Sequence, residues 1–527
     1  MDAFAQVQLD TLAPANTYDA GTLTVRQGAM SPDLWQGTNA QTAISLIQNL
    51  PNSPSQSSKH LIRGVLLSGG VPPHSGGGLE RENYVTERLW AILNLEDSTA
   101  YETISNQSSL DFTSATTVKL TLTHALMTGD TAKACQIADT IKLERKSPYW
   151  AKLRSYCHYT RDEIPAAELT ADLLKRAGHD DEMFFNLLGN LTGSQVKIPK
   201  LSALQSPLHI AMAQNLVAQK SFKGLTQQEI AGASPRLART VALNKTLPPE
   251  LRFHAFLRSA HILTLKQIAE IFAGDIQSPQ ETTETIKAND IWMLAQWGEM
   301  LNTIKTSTDI TRTSPLVADF LSQAETNGIF RPMSILVAQD IVLIPPALQA
   351  QSGPQLFARI AVQNRDLSTL RGLYMALVDD NPLRGRLALA SDALGGGFLG
   401  SSIGTDIETR LRADTPQKTR AVRDVYLAFA LGAYLPQGSV KPLALPVSLE
   451  GQAMNAGGLL MLKDASRRRA QAETALIAAQ IIGSNSLSTF RPDDVASLLS
   501  ALNDAGLGQI SAEFAAIDFL ALDIVDE

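Results

Sequence analysis

Apolar residues recur every three to four positions along most of this chain, and the segments with that spacing are parted by short stretches rich in Pro, Gly, Asp and Ser. Such a period marks amphipathic helices, and short breaker-rich joints mark helical hairpins. In the first half the spacing predicts helices over about 39–49, 56–68, 79–95, 97–106, 114–128, 130–145, 148–160, 164–177 and 180–192. Further helices follow near 207–219, 226–231, 234–243, 248–261 and 264–273, and beyond them near 287–305, 313–326, 331–342, 354–363, 367–378 and 383–394. The end of the chain adds about 405–413, 416–434, 455–482, 492–505 and 507–521. Nothing reads as a series of strands, so the fold class is all-α.

Residues 1–35 lack the helical period and carry turn signals at Ala13-Pro14-Ala15-Asn16 and Ser31-Pro32. They read as an extended N-terminal arm free to pack along a helical body. Residues 274–286 are polar with no apolar stripe and mark a boundary between an N-terminal helical-repeat domain, 36–274, and a C-terminal helical domain, 287–527. Pro436–Pro446, with three prolines, reads as a second linker.

The most informative stretch is Gly129–Gly178, which holds both cysteines of the chain. Cys135, Ala138 and Ile141 form one apolar face of a helix, and Trp150, Leu153 and Cys157 form the facing one. Arg145-Lys146-Ser147-Pro148 ends the first helix and starts the second, basic residues suiting a C-terminus and Pro the first helical position. Cys135 and Cys157 each lie eleven positions from Lys146, so an antiparallel hairpin brings them to one height on its inward face. Two readings fit: a disulfide, which needs Cα atoms roughly 4.4–6.8 Å apart, or two free buried thiols. The geometry and the even pair favour the bond, and with it an oxidising compartment.

A repeat runs through the same region. Asp97, Asp130 and Asp162 each stand where a helix begins, and Gly129–Ala134 aligns with Arg161–Ala166. Asp suits an N-cap, and small Ala lets helices approach. The pattern resembles the second helix of tetratricopeptide repeats, whose period is about 34 residues. The expectation is a tetratricopeptide-like α-solenoid in two helical halves.

Composition narrows the partners. Hydrophobic residues make up 44% of the chain but aromatics only 6%, which suits close helix packing. The net charge of −7 leaves no basic footprint, so nucleic acid is not an expected partner. No apolar run approaches the ~20 residues of a membrane span. Met1-Asp2-Ala3 and its mixed polar continuation lack the basic start and apolar core of a signal peptide. Taken alone that implies the cytoplasm. A start placed after a removed export signal reconciles it with the cysteines, and the periplasm is the expectation carried forward.

Candidate chemistry is sparse. Gly400-Ser401-Ser402-Ile403-Gly404 matches the nucleophile-elbow pattern, but no strand precedes it and all eight histidines lie at or before His261. Thr405-Asp406-Ile407-Glu408 reads more simply as a capping box. Gly76–Gly78 and Gly395–Gly397 lack the Lys-Ser/Thr ending of a phosphate loop and read as flexible loops. His254 and His261 have no third ligand at a zinc spacing. Arg467-Arg468-Arg469 point to different azimuths and read as a solvated face or a contact to an acidic partner. No catalytic, cofactor or metal residues are assigned. Tyr149, Trp150 and Tyr156 beside the cysteines read mostly as core, and Phe398 and Leu399 as part of a flexible loop; as the alternative, these five are the candidate partner-binding residues.

Leu34-Trp35-Gln36-Gly37, Tyr149–Cys157 and Met183–Leu188 resemble stretches of Ala-rich helical-repeat proteins encoded in alphaproteobacteria. Those are predicted to be exported and carry no assigned activity, so the resemblance implies a periplasmic location and no catalytic residues. A weaker likeness is to the helical superhelix of periplasmic lytic transglycosylases, without their catalytic Glu-Ser motif. The functional expectation is a non-catalytic interaction scaffold of the cell envelope that binds another protein. The alternatives are a structural subunit of an envelope or motility machine, or a cell-wall-acting hydrolase with an unrecognised site.

Overall fold

Local chemistry sets the helix ends. In the computed structural model, which describes residues 20–75, 77–108, 114–141, 147–194, 196–204, 206–219, 225–272, 289–379, 381–396, 407–413, 417–432 and 449–520, the described residues form helices joined by tight turns, with no strand. Two isolated bridges, Asn39 with His74 and Gln452 with Phe490, are the only β pairing among them. The chain divides into two compact units. Unit 1 is Met1–Asp111 with Val362–Arg371 and Asp379–Glu527; unit 2 is Phe112–Ala361 with Gly372–Val378. This division differs from the expected N-terminal and C-terminal halves, because the first helices of the chain pack on the last ones. The boundary expected at 274–286 and the linker at Pro436–Pro446 lie outside the described residues.

Unit 1 begins with α1 (Ala40–Gln48), α2 (Gln56–Leu67), α3 (Gly78–Asn94) and α4 (Ser98–Gln107). The chain then enters unit 2 with α5 (Ala115–Thr128), α6 (Thr131–Thr140), α7 (Pro148–Thr160), α8 (Ile164–Arg176), α9 (Glu182–Leu191) and α10 (Pro207–Ala218). It continues through α11 (Gln227–Gly232), α12 (Pro235–Leu243), α13 (Pro249–Ser259), α14 (Leu265–Phe272), α15 (Asn289–Thr306) and α16 (Ile310–Thr326). Consecutive helices are the usual packing partners here: α5 with α6, α6 with α7, α7 with α8, α12 with α13, and α15 with α16. One aromatic cluster lies here, where Trp297 contacts Phe253 and Phe320 at 5.6 and 5.7 Å between ring centroids, and Phe256 contacts Phe272 at 5.2 Å.

Unit 1 is completed by α17 (Pro382–Ala393), α18 (Gln417–Ala430), α19 (Ala456–Arg467), α20 (Gln471–Ile482), α21 (Pro492–Asp504) and α22 (Gly508–Phe519). Helix α20 is apolar nearly all round, so it must be covered on several sides. Helices α1, α2, α19 and α21 cover it. Hydrogen bonds across more than 400 positions fix the pairing: Ser58 Oγ donates to Gly483 O at 2.8 Å, Ala472 N to Leu34 O at 2.8 Å, and Gln480 Nε2 to Leu46 O at 3.0 Å. The described part of the arm, 20–35, lies against α2, with Thr22 N donating to Leu67 O at 2.8 Å. Elsewhere in unit 1, buried Arg423 donates to both carboxylate oxygens of Asp518 (2.8 and 2.6 Å) and to the Phe490 and Leu487 carbonyls. This bidentate pair ties α18 to α22, and its satisfied donors offset the cost of burying the charges.

Two sequence expectations change. The single helix expected over 455–482 is two, α19 and α20, with Arg469 in the left-handed region (φ 55°) between them. Arg468 is not a free surface charge: its guanidinium holds the buried carboxylate of Glu473 at 2.6 and 3.2 Å and the carbonyl of Gly37 at 2.9 Å. The role of Asp162 also changes. Asp97 and Asp130 cap α4 and α6, accepting from Ala100 N and Lys133 N at 3.1 and 3.0 Å. Asp162 does not cap α8; it adopts φ 63° and closes α7. There Glu163 N donates to His158 O and Asp162 N to Tyr159 O, the two bonds of a Schellman turn. The same pair of bonds closes α3 at Glu96 (φ 61°) and α5 at Gly129 (φ 82°). Glu96, Gly129 and Asp162 thus end their helices alike, as do Gly178, Gly328 and Gly506 elsewhere in the chain.

Candidate interaction site on the stapled helices

Helices α6, α7 and α8 contain the stretch that the sequence singled out. Cys135 on α6 and Cys157 on α7 are joined by a disulfide with Cα atoms 5.5 Å apart, the first of the two readings that their spacing allowed. Both sulfurs are buried, and Thr160 Oγ1 lies 3.8 Å from Cys135 Sγ. Trp150, Leu153 and Cys157 form the inward face of α7 as expected.

Burial takes the expected aromatic anchors out of contact with solvent. Trp150 and Tyr156 are 1% and 0% exposed, so neither presents surface to a partner. Asn215 Nδ2 donates to the Tyr156 hydroxyl, which in turn donates to Ala211 O at 3.3 Å. Burial pushes that phenol up to about 12, against the opposing pull of hydrogen bonds to Thr131 and Asn215. Tyr149 is half-buried, hydrogen-bonded to Thr123 and likewise pushed up to about 12 by burial. Gln219 Nε2 donates to Tyr159 Oη at 2.6 Å. The tyrosines therefore join α7 to α5 and α10. Their apolar rings need cover and their hydroxyls need partners, and the neighbouring helices supply both. Phe398 and Leu399 lie outside the described residues, as does the whole Gly400–Gly404 motif.

A second polar link fixes the other side of α7. Asp181 caps α9 by accepting from Phe184 N at 3.0 Å, and its second oxygen takes Lys152 Nζ at 2.5 Å and His209 Nε2 at 3.2 Å. Burial raises the Asp181 carboxyl, but the bonds from Lys152 and Phe184 and the nearby imidazole leave it below the usual carboxylate range. His209 is lowered, because burial outweighs the attraction of Asp181. The group reads as a structural clamp among α7, α9 and α10. Among the described residues no cluster of three or more His, Cys, Asp or Glu is placed to hold a metal ion.

What remains open is α8. Its principal packing partner is α7, reached through the small residues Ala167 and Ala171 and through Leu174. Ser155 Oγ donates to Ala167 O at 2.8 Å, which brings the two backbones close. The opposite face carries Leu169 and Leu173, one turn apart and 61% and 58% exposed. Glu168 and Asp172 flank this pair on one side, and both are exposed without an ion-pair partner among the described residues. Helix α8 thus has two apolar faces, and the one built of larger side chains is the uncovered one. The available signal was the 167/171/174 stripe, which already supplies a complete buried face.

Comparison with known protein families, with curated proteins and with solved structures found no match to this chain.

Proposed function

We propose that this protein is a non-catalytic interaction scaffold of the bacterial cell envelope, with the α8 ridge as its docking surface. The exposed Leu169–Leu173 pair carries the reading, because contiguous apolar surface rimmed by charge marks protein interaction sites. Its rigid support is the stapled pair α6–α7. The acidic rim of Glu168 and Asp172 favours a partner segment that is amphipathic and basic, laid along the ridge as helix on helix. The even spacing of the helix ends at Glu96, Gly129 and Asp162 supports reading these hairpins as tetratricopeptide-like repeats of a solenoid, an architecture that exposes such ridges. The disulfide supports export, since structural disulfides persist in oxidising compartments such as the periplasm.

The test is photocrosslinking in the native organism from a reactive residue placed at position 169, with position 176 as control. A specific adduct is expected from 169, and the Leu169→Asp/Leu173→Asp variant should lose the same partner while melting at an unchanged temperature. Full retention of that partner by the double variant would refute the assignment.

A further inference from the structure

Unit 1 contains a cavity of about 730 Å³ that the α8 ridge does not involve. Its walls are two extended stretches that run parallel: His74 N donates to Thr38 O at 3.3 Å and Ala40 N to His74 O at 2.8 Å. The stretch before His74 is tied in turn to the arm, through Val71 N to Pro32 O at 2.8 Å. Buried Trp35, braced edge-on by Tyr84 at 5.6 Å, lines the cavity together with Val71 and Pro73. These side chains give it an apolar stretch of wall, and Gln36, Thr38, Asn39 and Ser75 give it a polar one.

Charges of both signs stand around that lining. Arg81, in the first turn of α3, donates from Nε to Ser75 Oγ at 3.1 Å. This anchors the guanidinium by one edge and leaves both Nη groups without a protein partner among the described residues. The Asp33 carboxylate likewise engages no donor side chain among them, and the His74 ring makes no hydrogen bond there. Other charges of this unit are paired, as Arg63 is with Asp97 and Arg491 with Asp493. Asp33 and Arg81 line one cavity and remain unengaged.

The geometry points to a binding site for a short peptide with both ends free, its C-terminal carboxylate on Arg81 and its ammonium on Asp33. An anchored guanidinium that presents two parallel N–H groups matches a carboxylate bidentately. The carboxylate of Asp33 excludes a purely anionic ligand and takes the cationic end. The mixed lining, with Trp35 and Val71 beside Gln36 and Asn39, suits peptide side chains and backbone alike. The volume lies within the roughly 300–1,000 Å³ of small-molecule sites and is larger than a single amino acid needs.

Saturation-transfer NMR on the full chain, with an equimolar mixture of tripeptides, tests this. The free-ended mixture should bind, and the C-amidated and N-acetylated mixtures should each bind at least tenfold more weakly. Arg81→Gln should abolish the discrimination against amidation, and Asp33→Asn the discrimination against acetylation; both residues are exposed, so folding is checked by unchanged circular dichroism. The Leu169→Asp/Leu173→Asp variant should bind the tripeptides normally, which separates this site from the α8 reading. No binding by any mixture, equal binding of the blocked mixtures, or displacement by inorganic phosphate as effective as by free tripeptides would each overturn the assignment.

Discussion

Replacing both cysteines by alanine should destabilise unit 2 by a calculable amount. The bond joins residues 22 positions apart, so in the chain-entropy treatment its loss returns about 3.4 kcal/mol of conformational freedom to the unfolded chain at 25 °C. Both side chains are buried, and alanine keeps the site apolar, so the closure term dominates over the small loss of packing. For a unit of this size the loss corresponds to roughly 7–14 °C in melting temperature. Hydrogen exchange read by mass spectrometry localises the effect. Peptides from α6 and α7, whose exchange requires opening of unit 2, should lose about 300-fold in protection, at 1.36 kcal/mol per decade. Peptides from α20 in unit 1 serve as the internal reference and should be unaffected. The wild-type protein should also yield no alkylatable thiol before reduction. A Cys135→Ala/Cys157→Ala variant whose α6 and α7 peptides exchange within threefold of wild type would refute the reasoning, since the hairpin would then be held by packing alone.

Other outcomes follow from single sites. A methyl group at Gly70 would sit 2.3 Å from Pro32 O and 2.7 Å from Leu34 Cδ2; Gly70→Ala should therefore displace the arm at a cost of about 2 kcal/mol, seen as a lower unit 1 melting temperature and faster proteolysis within 20–35. Asp162→Gly relieves a left-handed residue at the end of α7 and should gain about 0.5 kcal/mol after the extra entropy of the unfolded glycine; a drop in the denaturation midpoint would contradict the Schellman turn. Burial lowers the His209 imidazole from its ordinary 6.5, so the unfolded chain binds the proton first. The contribution of neutral His209 is thus complete above 6.5 and is lost as pH falls through that value towards the folded one. Melting curves between pH 7 and 5 should show this loss, and His209→Gln should flatten it.

Much of the helical architecture was legible because its determinants are short-range. Capping by Asp97 and Asp130, Pro at the first position of α7, and the equal distances of Cys135 and Cys157 from the turn all act within one hairpin. Asp162 reads as an N-cap in the sequence but is a left-handed helix end, because Asp serves equally in both roles and only the backbone angle tells the two uses apart. The break at Arg469 escaped notice for a related reason: an arginine in the left-handed region leaves no glycine to mark it.

What the sequence alone determined is that the chain is helical, where most helices start and stop, and that the two cysteines meet. Tertiary structure decided which apolar face of each helix is covered. Trp150 and Tyr156 fitted both a core and a binding role, and neighbouring helices enclose them. Leu173 looked like a core position, yet it stands in solvent because Ala167, Ala171 and Leu174 already satisfy α7. Tertiary structure also brought α1 and α2 onto α20, across more than 400 positions, and left Asp33 and Arg81 beside one cavity. Periodicity reports that a face is apolar; it carries no record of which distant surface covers that face.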